Sequence, residues 1–276
     1  MTISTFFNKA FAFVERKLAY PWLNPFATVY LNFRTLPFVQ ALRFPLYVYG
    51  RVKFYELKGK ILLRGGVKRG LIKFGRHDDI YSLSSKNVLH LADGSKIVFN
   101  GPCSVGAGFL WRIDRDAIFE VGRLARFGTC VKVICSNHIV FGDYSSITFK
   151  CMMMDTNSHY TINLNDYSVR RLNAKTIEIG AKNWIGNNTQ VFLGAKTGEG
   201  CIIGHGSMLN HNFSDTYNSL LAGSPAVVKQ DNITRCFSFT RENELNDFFK
   251  RNPDKSVKFY DTSYEDPLED LIRFFE

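Results

Sequence analysis

Residues 177–210 read IEIGAKNWIGNNTQVFLGAKTGEGCIIGHGSMLN, and an aliphatic or small residue returns at every sixth position. These repeat residues are Ile179, Ile185, Val191, Thr197, Ile203 and Leu209. A period of six fits neither the 3.6-residue period of an α-helix nor the alternation of a β-strand, so it indicates an internal repeat. We expect three hexapeptides to form one triangular turn of a parallel β-helix, with the repeat residues stacked inside.

The same phase occurs upstream and is then interrupted. It appears at Val121, Phe127 and Val133, and again at Phe141, Ile147 and Met153. Between Met153 and Ile179 the register is lost over a polar segment that contains Asp155, His159, Asp166, Arg170 and Arg171. Loops that leave a rigid scaffold often carry functional residues. We therefore expect a functional loop at residues 154–176.

Composition divides the chain into three parts. Residues 1–51 are aromatic and broken by prolines, which predicts an N-terminal arm of short helices and extended segments. Residues 52–230 contain short β-prone runs separated by Gly and are assigned to the β-helix. Residues 231–276 show helical apolar spacing in 240–251 and 264–276, which predicts a C-terminal helical cap over the open end of the coil.

Charge is concentrated at the N-terminus. The 276 residues carry a net charge of +10, and residues 1–76 hold 14 Lys and Arg against 2 acidic residues, a local balance of +12. Such a basic arm suits peripheral contact with an anionic membrane surface or an acidic glycan, or it is an ordinary solvated face. The arm contains no nucleic-acid recognition module, so the sequence does not indicate nucleic-acid binding.

The six cysteines form no CxxC pair, and several lie within apolar runs, so we expect buried, reduced thiols. No segment approaches the roughly 18 consecutive apolar residues that a membrane span needs. Charged residues also interrupt the apolar N-terminus. These features predict a cytoplasmic protein, located at the inner face of the membrane if the arm binds there.

Residues 177–210, followed by LAGSPAVVK at 221–229, resemble the hexapeptide-repeat acyltransferases. Within that family they are most similar to the galactoside, maltose and capsular-polysaccharide O-acetyltransferases. The resemblance covers about residues 97–230 and is most specific in Trp184-Ile185-Gly186 and in residues 222–226. It implies a left-handed parallel β-helix, a homotrimer with sites in grooves between coils, and no metal. The implied reaction transfers acetyl from acetyl-CoA to a hydroxyl of a sugar, cell-surface polysaccharide or its precursor.

The resemblance assigns the general base to His159. A sugar hydroxyl is too weak an acid to attack a thioester unaided, and histidine, with an ordinary pKa of about 6.5, is well matched to remove its proton. Asp155, four residues earlier, is expected to orient the imidazole. Cys151 lies among apolar residues and is interpreted as an inert thiol, so we expect direct transfer without an acyl-enzyme.

Binding residues follow from position in the repeat. Trp184 precedes an inward residue and should project outward, where it packs a sugar or the pantetheine arm, or a subunit interface. The resemblance places CoA against Trp184, Asn187, His205, Gly206 and Asn210. Lys229 offers a mobile positive charge near the groove, which suits a CoA phosphate. The family commonly has Ala where His205 stands and Thr-Lys where Asn210 and His211 stand. Arg170 and Arg171 suit an acidic saccharide acceptor.

Three other functions compete with this interpretation. One is N-acetylation of an amino sugar, or use of a longer acyl donor. Another is a non-catalytic β-helix that binds a glycan. The third is a metal-dependent hydratase similar to the γ-type carbonic anhydrases, against which the spacing argues. His205 and His211 are six residues apart and should lie on successive faces, too far apart to share one ion.

Overall fold

The structure is a computed structural model that describes residues 22–76, 86–169 and 174–259. Within these residues the chain forms three short or medium α-helices and 23 β-strands. The helices are α1 (Pro25–Thr35), α2 (Phe38–Ala41) and α3 (Phe239–Arg251). The strands are β1 (Leu46–Val48), β2 (Val52–Leu57), β3 (Lys60–Leu63), β4 (Ile72–Phe74), β5 (Asn87–Leu91), β6 (Lys96–Phe99), β7 (Cys103–Val105), β8 (Leu110–Ile113), β9 (Ile118–Val121), β10 (Ala125–Phe127), β11 (Lys132–Cys135), β12 (His138–Phe141), β13 (Ser146–Ile147), β14 (Met152–Met154), β15 (Ile177–Ile179), β16 (Trp184–Ile185), β17 (Gln190–Phe192), β18 (Lys196–Thr197), β19 (Ile202–Ile203), β20 (Met208–Leu209), β21 (Asn212–Phe213), β22 (Leu220–Gly223) and β23 (Ala226–Gln230).

Consecutive strands belong to successive sheets, which is the topology of a β-helix. The first sheet has the order β1-β4-β7-β10-β13-β16-β19-β22-β23, the second runs from β2 to β20, and the third from β3 to β21. All pairings are parallel except that of β22 with β23. Strands β1–β21 therefore form seven described turns of three strands each. The predicted parallel β-helix is confirmed.

The hexapeptide residues form continuous columns inside the coil. In the first sheet the register stacks Phe127 on Ile147, Ile147 on Ile185, and Ile185 on Ile203. The six repeat residues quoted above are all at most 6% exposed. Each column buries apolar area at every turn, which is the main favourable term of the fold.

The first turns of the coil are filled by aromatic rings. Trp111 is fully buried, and its ring centroid lies 5.1 Å from that of Phe119 and 5.0 Å from that of Phe127. Phe74, Phe99 and Phe109 complete the cluster around it. Large rings fill the same triangular cross-section that Ile, Val and Leu fill in later turns. Most of them meet Trp111 edge to face, whereas the Phe99 ring is stacked on it.

Glycine after the repeat residue has a steric reason. Gly122, Gly142, Gly180 and Gly198 stack at the corner between the third and first sheets, and a Cβ on any of the first three would collide with backbone of the next turn. None of these four glycines adopts a positive φ. Close approach of successive turns, more than the conformational freedom of glycine, therefore explains the repeated Gly at this corner.

Helix α1 covers the open edge of β1. The Asn32 side chain donates to the Leu46 carbonyl at 2.7 Å and accepts from the Leu46 N–H at 3.2 Å. The Thr28 hydroxyl accepts from the Val48 N–H at 3.1 Å. Both side chains are buried. Polar groups on the inner face of the helix thus satisfy the backbone groups that a terminal strand would otherwise leave unpaired.

The limits of the coil differ in part from those expected. The first strand begins at Leu46, six residues before the predicted start of the β-helix at residue 52. Helix α3 matches the predicted helix at 240–251, whereas residues 264–276 lie outside the described residues. At the other end of the first sheet the strand β22 is paired with the antiparallel strand β23, and not with a helix. The division into three parts otherwise stays a prediction.

Among the described residues, no helix is long and apolar enough to cross a membrane. All six cysteines are free, and four of them are buried, as predicted for reduced thiols.

We expect Asn32→Leu to lower the free energy of unfolding by about 3 kcal/mol, because it leaves the N–H and the carbonyl of Leu46 buried without partners. Urea denaturation followed by circular dichroism measures this change. Asn246, exposed on α3, provides the matched control, and Asn246→Leu should change stability by less than about 0.5 kcal/mol. Equal losses for the two variants would contradict the capping role of Asn32.

Candidate functional site

The loop that the sequence predicts to be functional leaves the coil in the fifth turn, between β14 and β15. Its base is held by a bridge between Thr156 and Ala174, and its tip by a bridge between Ile162 and Val169. His159 lies near the start of the loop and is exposed, and its backbone N–H donates to the Asn157 carbonyl at 2.8 Å. Arg170 and Arg171 lie outside the described residues. The loop therefore presents an imidazole at the surface of the coil.

Asp155 does not orient His159, so that part of the sequence interpretation is wrong. Its carboxylate is fully buried and accepts from the N–H of Ser136 at 2.8 Å and from the N–H of Asn137 at 2.9 Å. Both oxygens are therefore bound to the turn between β11 and β12. Asp155 continues the inward column that contains Cys135, whose sulfur lies 3.7 Å away. The residue fastens the base of the loop to the preceding turn of the coil.

Burial raises the pKa of Asp155 above its usual range, while the N–H groups of Ser136 and Asn137 act in the opposite direction. The net effect shows that removal from water outweighs the two hydrogen bonds. The charged form of this carboxylate is thus a destabilising feature of the native state.

Trp184 projects outward from β16, as predicted, and is half-buried, whereas its neighbour Ile185 is fully buried. The His205 ring meets it edge-on at a centroid distance of 6.2 Å. The guanidinium of Arg235 lies 5.3 Å from the centre of its ring. Trp184 therefore forms the centre of a small surface cluster with two nitrogen-rich side chains.

The His205 ring is held by backbone at Asn187, in the preceding turn of the coil. Its Nδ1 accepts from the Asn187 N–H at 3.0 Å, so the neutral ring carries its proton on Nε2. The carbonyl of Asn187 in turn accepts from the Gly206 N–H at 2.8 Å, and the Asn187 side chain accepts from the N–H of Phe149. A Cβ at Gly206 would meet no atom within 4 Å. The backbone at Gly206 is therefore accessible, and the Nε2–H donor of His205 lies beside it.

The remaining residues expected to bind CoA lie apart from this cluster. Asn210 follows β20 at the end of the second sheet, and its Oδ1 is buried without a hydrogen-bond partner among the described residues. Lys229 lies on β23, three strands from β16 in the first sheet, and is exposed. The structure thus brings Trp184, Asn187, His205 and Gly206 together, and places Asn210 and Lys229 further along the coil.

Arg235 belongs to the candidate cluster around Trp184, and sequence reasoning missed it. It follows the last strand, and its Nη1 donates to the Ser146 hydroxyl at 3.5 Å while its Nη2 lies 3.5 Å from a Glu242 oxygen. The segment after β23 therefore folds back across the outer face of the first sheet. No motif or spacing around Arg235 indicated this path, because it depends on the course of an irregular segment.

Cys151 is unsuited to act as a nucleophile. It is fully buried, its thiol lies 3.0 Å from the Gly186 carbonyl, and burial raises its pKa to about 11. The thiolate that a nucleophile requires is scarcely populated at neutral pH. The interpretation of Cys151 as an inert thiol is confirmed.

The loop that carries His159 and the strand that carries Trp184 belong to different parts of the coil. The loop of His159 leaves the corner between the second and third sheets, whereas Trp184 lies on the first sheet. In the described part of one chain, no contact joins them.

Within the described ranges, no group of three His, Cys, Asp or Glu side chains is arranged to hold a metal ion. His205 follows β19 of the first sheet, whereas His211 follows β20 of the second, so the two lie on successive faces.

We expect the raised pKa of Asp155 to appear in the pH dependence of stability. The native state binds the proton of the Asp155 carboxyl more tightly than the unfolded chain, in which this group has its ordinary pKa of 3.8. The contribution of Asp155 to the free energy of unfolding should therefore fall as pH rises from 3.8 through the raised native pKa. Asp155→Asn cannot ionise, so urea denaturation across this pH range should show the stability of the variant increasing relative to that of the wild type as pH rises.

The matched control is Asp166→Asn, at an exposed position in the same loop. The N–H of Ser168 lowers the pKa of Asp166, so its effect on the pH slope has the opposite sign. Parallel pH profiles for the wild type and Asp155→Asn would refute a buried, destabilising carboxylate at position 155.

No protein-family model matches the chain, and no curated protein matches its sequence. Among solved structures, the polySia specific acetyltransferase NeuO has a TM-score of 0.56 and 15% sequence identity, covering 77% of this chain and 87% of NeuO. The hexapeptide-repeat acetyltransferase VCA0836 from Vibrio cholerae is 18% identical over 52% of this chain and 73% of its own, with a TM-score of 0.40. The N-acyltransferase AntD from Bacillus cereus is 12% identical over 75% of this chain and 89% of its own, with a TM-score of 0.39. The predicted fold class is confirmed, and the chain shares the left-handed parallel β-helix fold of the acetyltransferase NeuO.

Proposed function

We propose that this chain is an acetyl-CoA-dependent O-acetyltransferase that acts on a sugar or on a cell-surface polysaccharide or its precursor. The observation that carries the proposal is the exposed His159, on a loop that leaves a hexapeptide coil. The coil itself needs no such loop, since from β5 to β21 all the other successive strands are joined by short corners. A protruding imidazole suits acid–base chemistry on a bound partner.

The proposed site lies between subunits. The loop of His159 leaves the corner between the second and third sheets, whereas Trp184 lies on the first sheet, so the loop of one subunit would meet the first sheet of the next. A closed homotrimer satisfies this head-to-tail relation at three equivalent interfaces. The exposed apolar residues of the loop, which include Tyr160, Ile162 and Leu164, are suited to burial in such an interface.

The proposed reaction is a direct acetyl transfer. His159 removes the proton from the acceptor hydroxyl as its oxygen attacks the thioester carbonyl of acetyl-CoA. The tetrahedral intermediate collapses, the carbon–sulfur bond breaks, and the proton passes to the sulfur of the departing CoA. No covalent enzyme intermediate is required, in agreement with the high pKa of Cys151.

The corner beside Trp184 suits the CoA substrate. Gly206 exposes backbone with no side chain in the way, and His205 offers an Nε2–H donor to a carbonyl or phosphate oxygen. The Trp184 ring can pack the pantetheine arm or a sugar face. Asn210 and Lys229, further along the coil, would contact the more distant end of the cofactor, where Lys229 supplies a positive charge for phosphate.

Arg235 supports an acidic acceptor. Its guanidinium lies at the Trp184 ring and carries planar donors that match a carboxylate. Its ion pair with Glu242 is long, at 3.5 Å, so an acceptor carboxylate can compete for the same donors. Arg170 and Arg171 in the loop would add to this preference.

We expect His159→Ala to lower the rate of acetyl transfer by roughly 10²–10⁴-fold, because the acceptor hydroxyl loses its general base. Release of the CoA thiol from acetyl-CoA, measured across free sugars, sialosides and nucleotide sugars, checks this result. His90→Gln is the control, since His90 lies on β5, three turns from the loop, and pairs with Glu56. Equal thiol release by wild type and His159→Ala, with an acceptor in use, would favour a non-catalytic glycan-binding coil. Alkali lability of the product separates an O-acetyl ester from an N-acetyl amide.

We expect Trp184→Ala to raise KM for acetyl-CoA or for the acceptor about tenfold, with a smaller change in kcat, because an apolar contact with bound substrate is lost. Steady-state kinetics with each substrate varied in turn measures both constants. Trp22→Ala removes an equally large, 60% exposed indole at the N-terminal end of the coil and should leave both constants unchanged. An unchanged KM in Trp184→Ala would remove Trp184 from the site.

A further inference from the structure

The inner face of helix α1 is mixed, because Ala27 and Leu31 join the hydrophobic core beside three buried polar residues. The buried residues include Thr28, Asn32 and Thr35, which bond to backbone of β1 or of the helix itself. The outer face of α1 and the adjoining α2 is instead apolar and exposed, with Phe26 at 87% and Phe38 at 68%. The exposed apolar residues of these helices are Phe26, Val29, Tyr30, Phe33, Phe38, Val39 and Leu42. We call this surface the apolar face.

The apolar face is continuous. Phe26, Tyr30 and Phe33 recur at helical spacing of three and four residues, so they lie along one side of α1. The ring of Phe33 contacts that of Phe38 at 5.8 Å and that of Phe44 at 6.0 Å. The Tyr30 ring lies 5.6 Å from that of Phe54 on β2. An exposed apolar surface of this extent marks a site of interaction.

A basic cavity borders the apolar face. It has a volume of about 450 Å³ and is lined by Asn24, Arg51, Val52, Lys53 and Lys86. Asn24 caps the start of α1, and Lys53 precedes the Phe54 that contacts Tyr30, so the cavity adjoins the helix directly. Its lining contains three positive side chains and no acidic one. The cavity is therefore suited to an anionic oxygen group such as a phosphate.

The charge around the apolar face is one-sided. Residues 22–55 contain Arg34, Arg43, Arg51 and Lys53 but no Asp or Glu, and the first acidic residue beyond them is Glu56. A second copy of this surface would bring like charges together, and residues 1–21 add three further positive charges against one negative. A soluble acidic glycan would satisfy the charges but would leave Phe26, Val39 and Leu42 exposed. The occupant must offer both apolar volume and negative charge.

We propose that the apolar face and the basic cavity dock this chain on an anionic phospholipid membrane. The aromatic and aliphatic side chains enter the boundary between headgroups and acyl chains, where Trp, Tyr and Phe are favoured. The cavity receives a lipid phosphate, and the surrounding Arg and Lys side chains add attraction to the anionic surface. The helices lie on the membrane and do not cross it. This docking is independent of the acetyl-transfer chemistry proposed above.

The test is flotation of the full chain with vesicles of phosphatidylcholine alone and of equimolar phosphatidylcholine and phosphatidylglycerol. We expect binding to the anionic vesicles that weakens with added salt, and little binding to the neutral ones. Phe26→Ser/Phe38→Ser should weaken the binding about tenfold or more, because two exposed rings no longer enter the bilayer. Arg51→Gln/Lys53→Gln should weaken it about fivefold for each charge removed.

Matched controls come from the C-terminal region. Val257→Ser/Phe259→Ser removes an equally exposed apolar pair, and Lys250→Gln/Arg251→Gln removes two exposed charges on α3. Both should leave vesicle binding unchanged. Because Phe26 and Phe38 are exposed, their replacement should also leave thermal unfolding and transfer to a soluble acceptor unchanged, which separates docking from catalysis.

Three outcomes would overturn the docking proposal. The first is no binding to anionic vesicles, or equal binding by the wild type and the Phe26→Ser/Phe38→Ser variant. The second is self-association in light scattering that depends on Phe26 and Phe38 without vesicle binding, which would assign the face to a second copy. The third is binding of inorganic phosphate or dextran sulfate in the absence of vesicle binding, which would make the cavity a site for soluble anions.

Discussion

The stacking of inward side chains from one turn to the next is the constraint on which the rest of this structure depends. Each column places an apolar residue directly over its counterpart, as Ile185 lies between Ile147 and Ile203. Backbone hydrogen bonds between turns run along the same direction, so a turn cannot move without breaking both. The outer surface is then free to vary. This rigidity allows the loop of His159 and the outward ring of Trp184 to be held at fixed positions on the outer surface of the coil.

Much of the fold could be predicted because the hexapeptide period is a local signal. The six-residue spacing alone predicts that residues such as Val191 and Leu209 point inward, and both are fully buried. The start of the coil at Leu46 could not be predicted in the same way, because Lys and aromatic residues on the early strands hide the period. Trp111 is not among the residues in which the hexapeptide phase was recognised, and its packing depends on aromatic neighbours from several turns.

For the candidate site, too, the prediction that rests on the hexapeptide period was correct, whereas the role of Asp155 was not predicted correctly and Arg235 was missed. The outward position of Trp184 follows from the inward position of Ile185, so the sequence predicted it correctly. Asp155 was misassigned because four residues of sequence separation say nothing about which way a loop turns. Its carboxylate instead replaces an apolar side chain in an inward column and binds two backbone N–H groups. Arg235 reaches Trp184 from an irregular segment, and no periodic signal describes such a path.

The two ends of the coil are closed by different devices, and this has a consequence for assembly. At one end the side chains of Thr28 and Asn32 occupy the hydrogen-bonding edge of β1, and at the other β23 runs antiparallel to the rest of its sheet. An open stack of parallel strands would be a template for end-to-end growth into filaments. At these two edges the first sheet therefore offers no parallel strand with a free hydrogen-bonding edge, which disfavours the addition of a further parallel strand from another molecule.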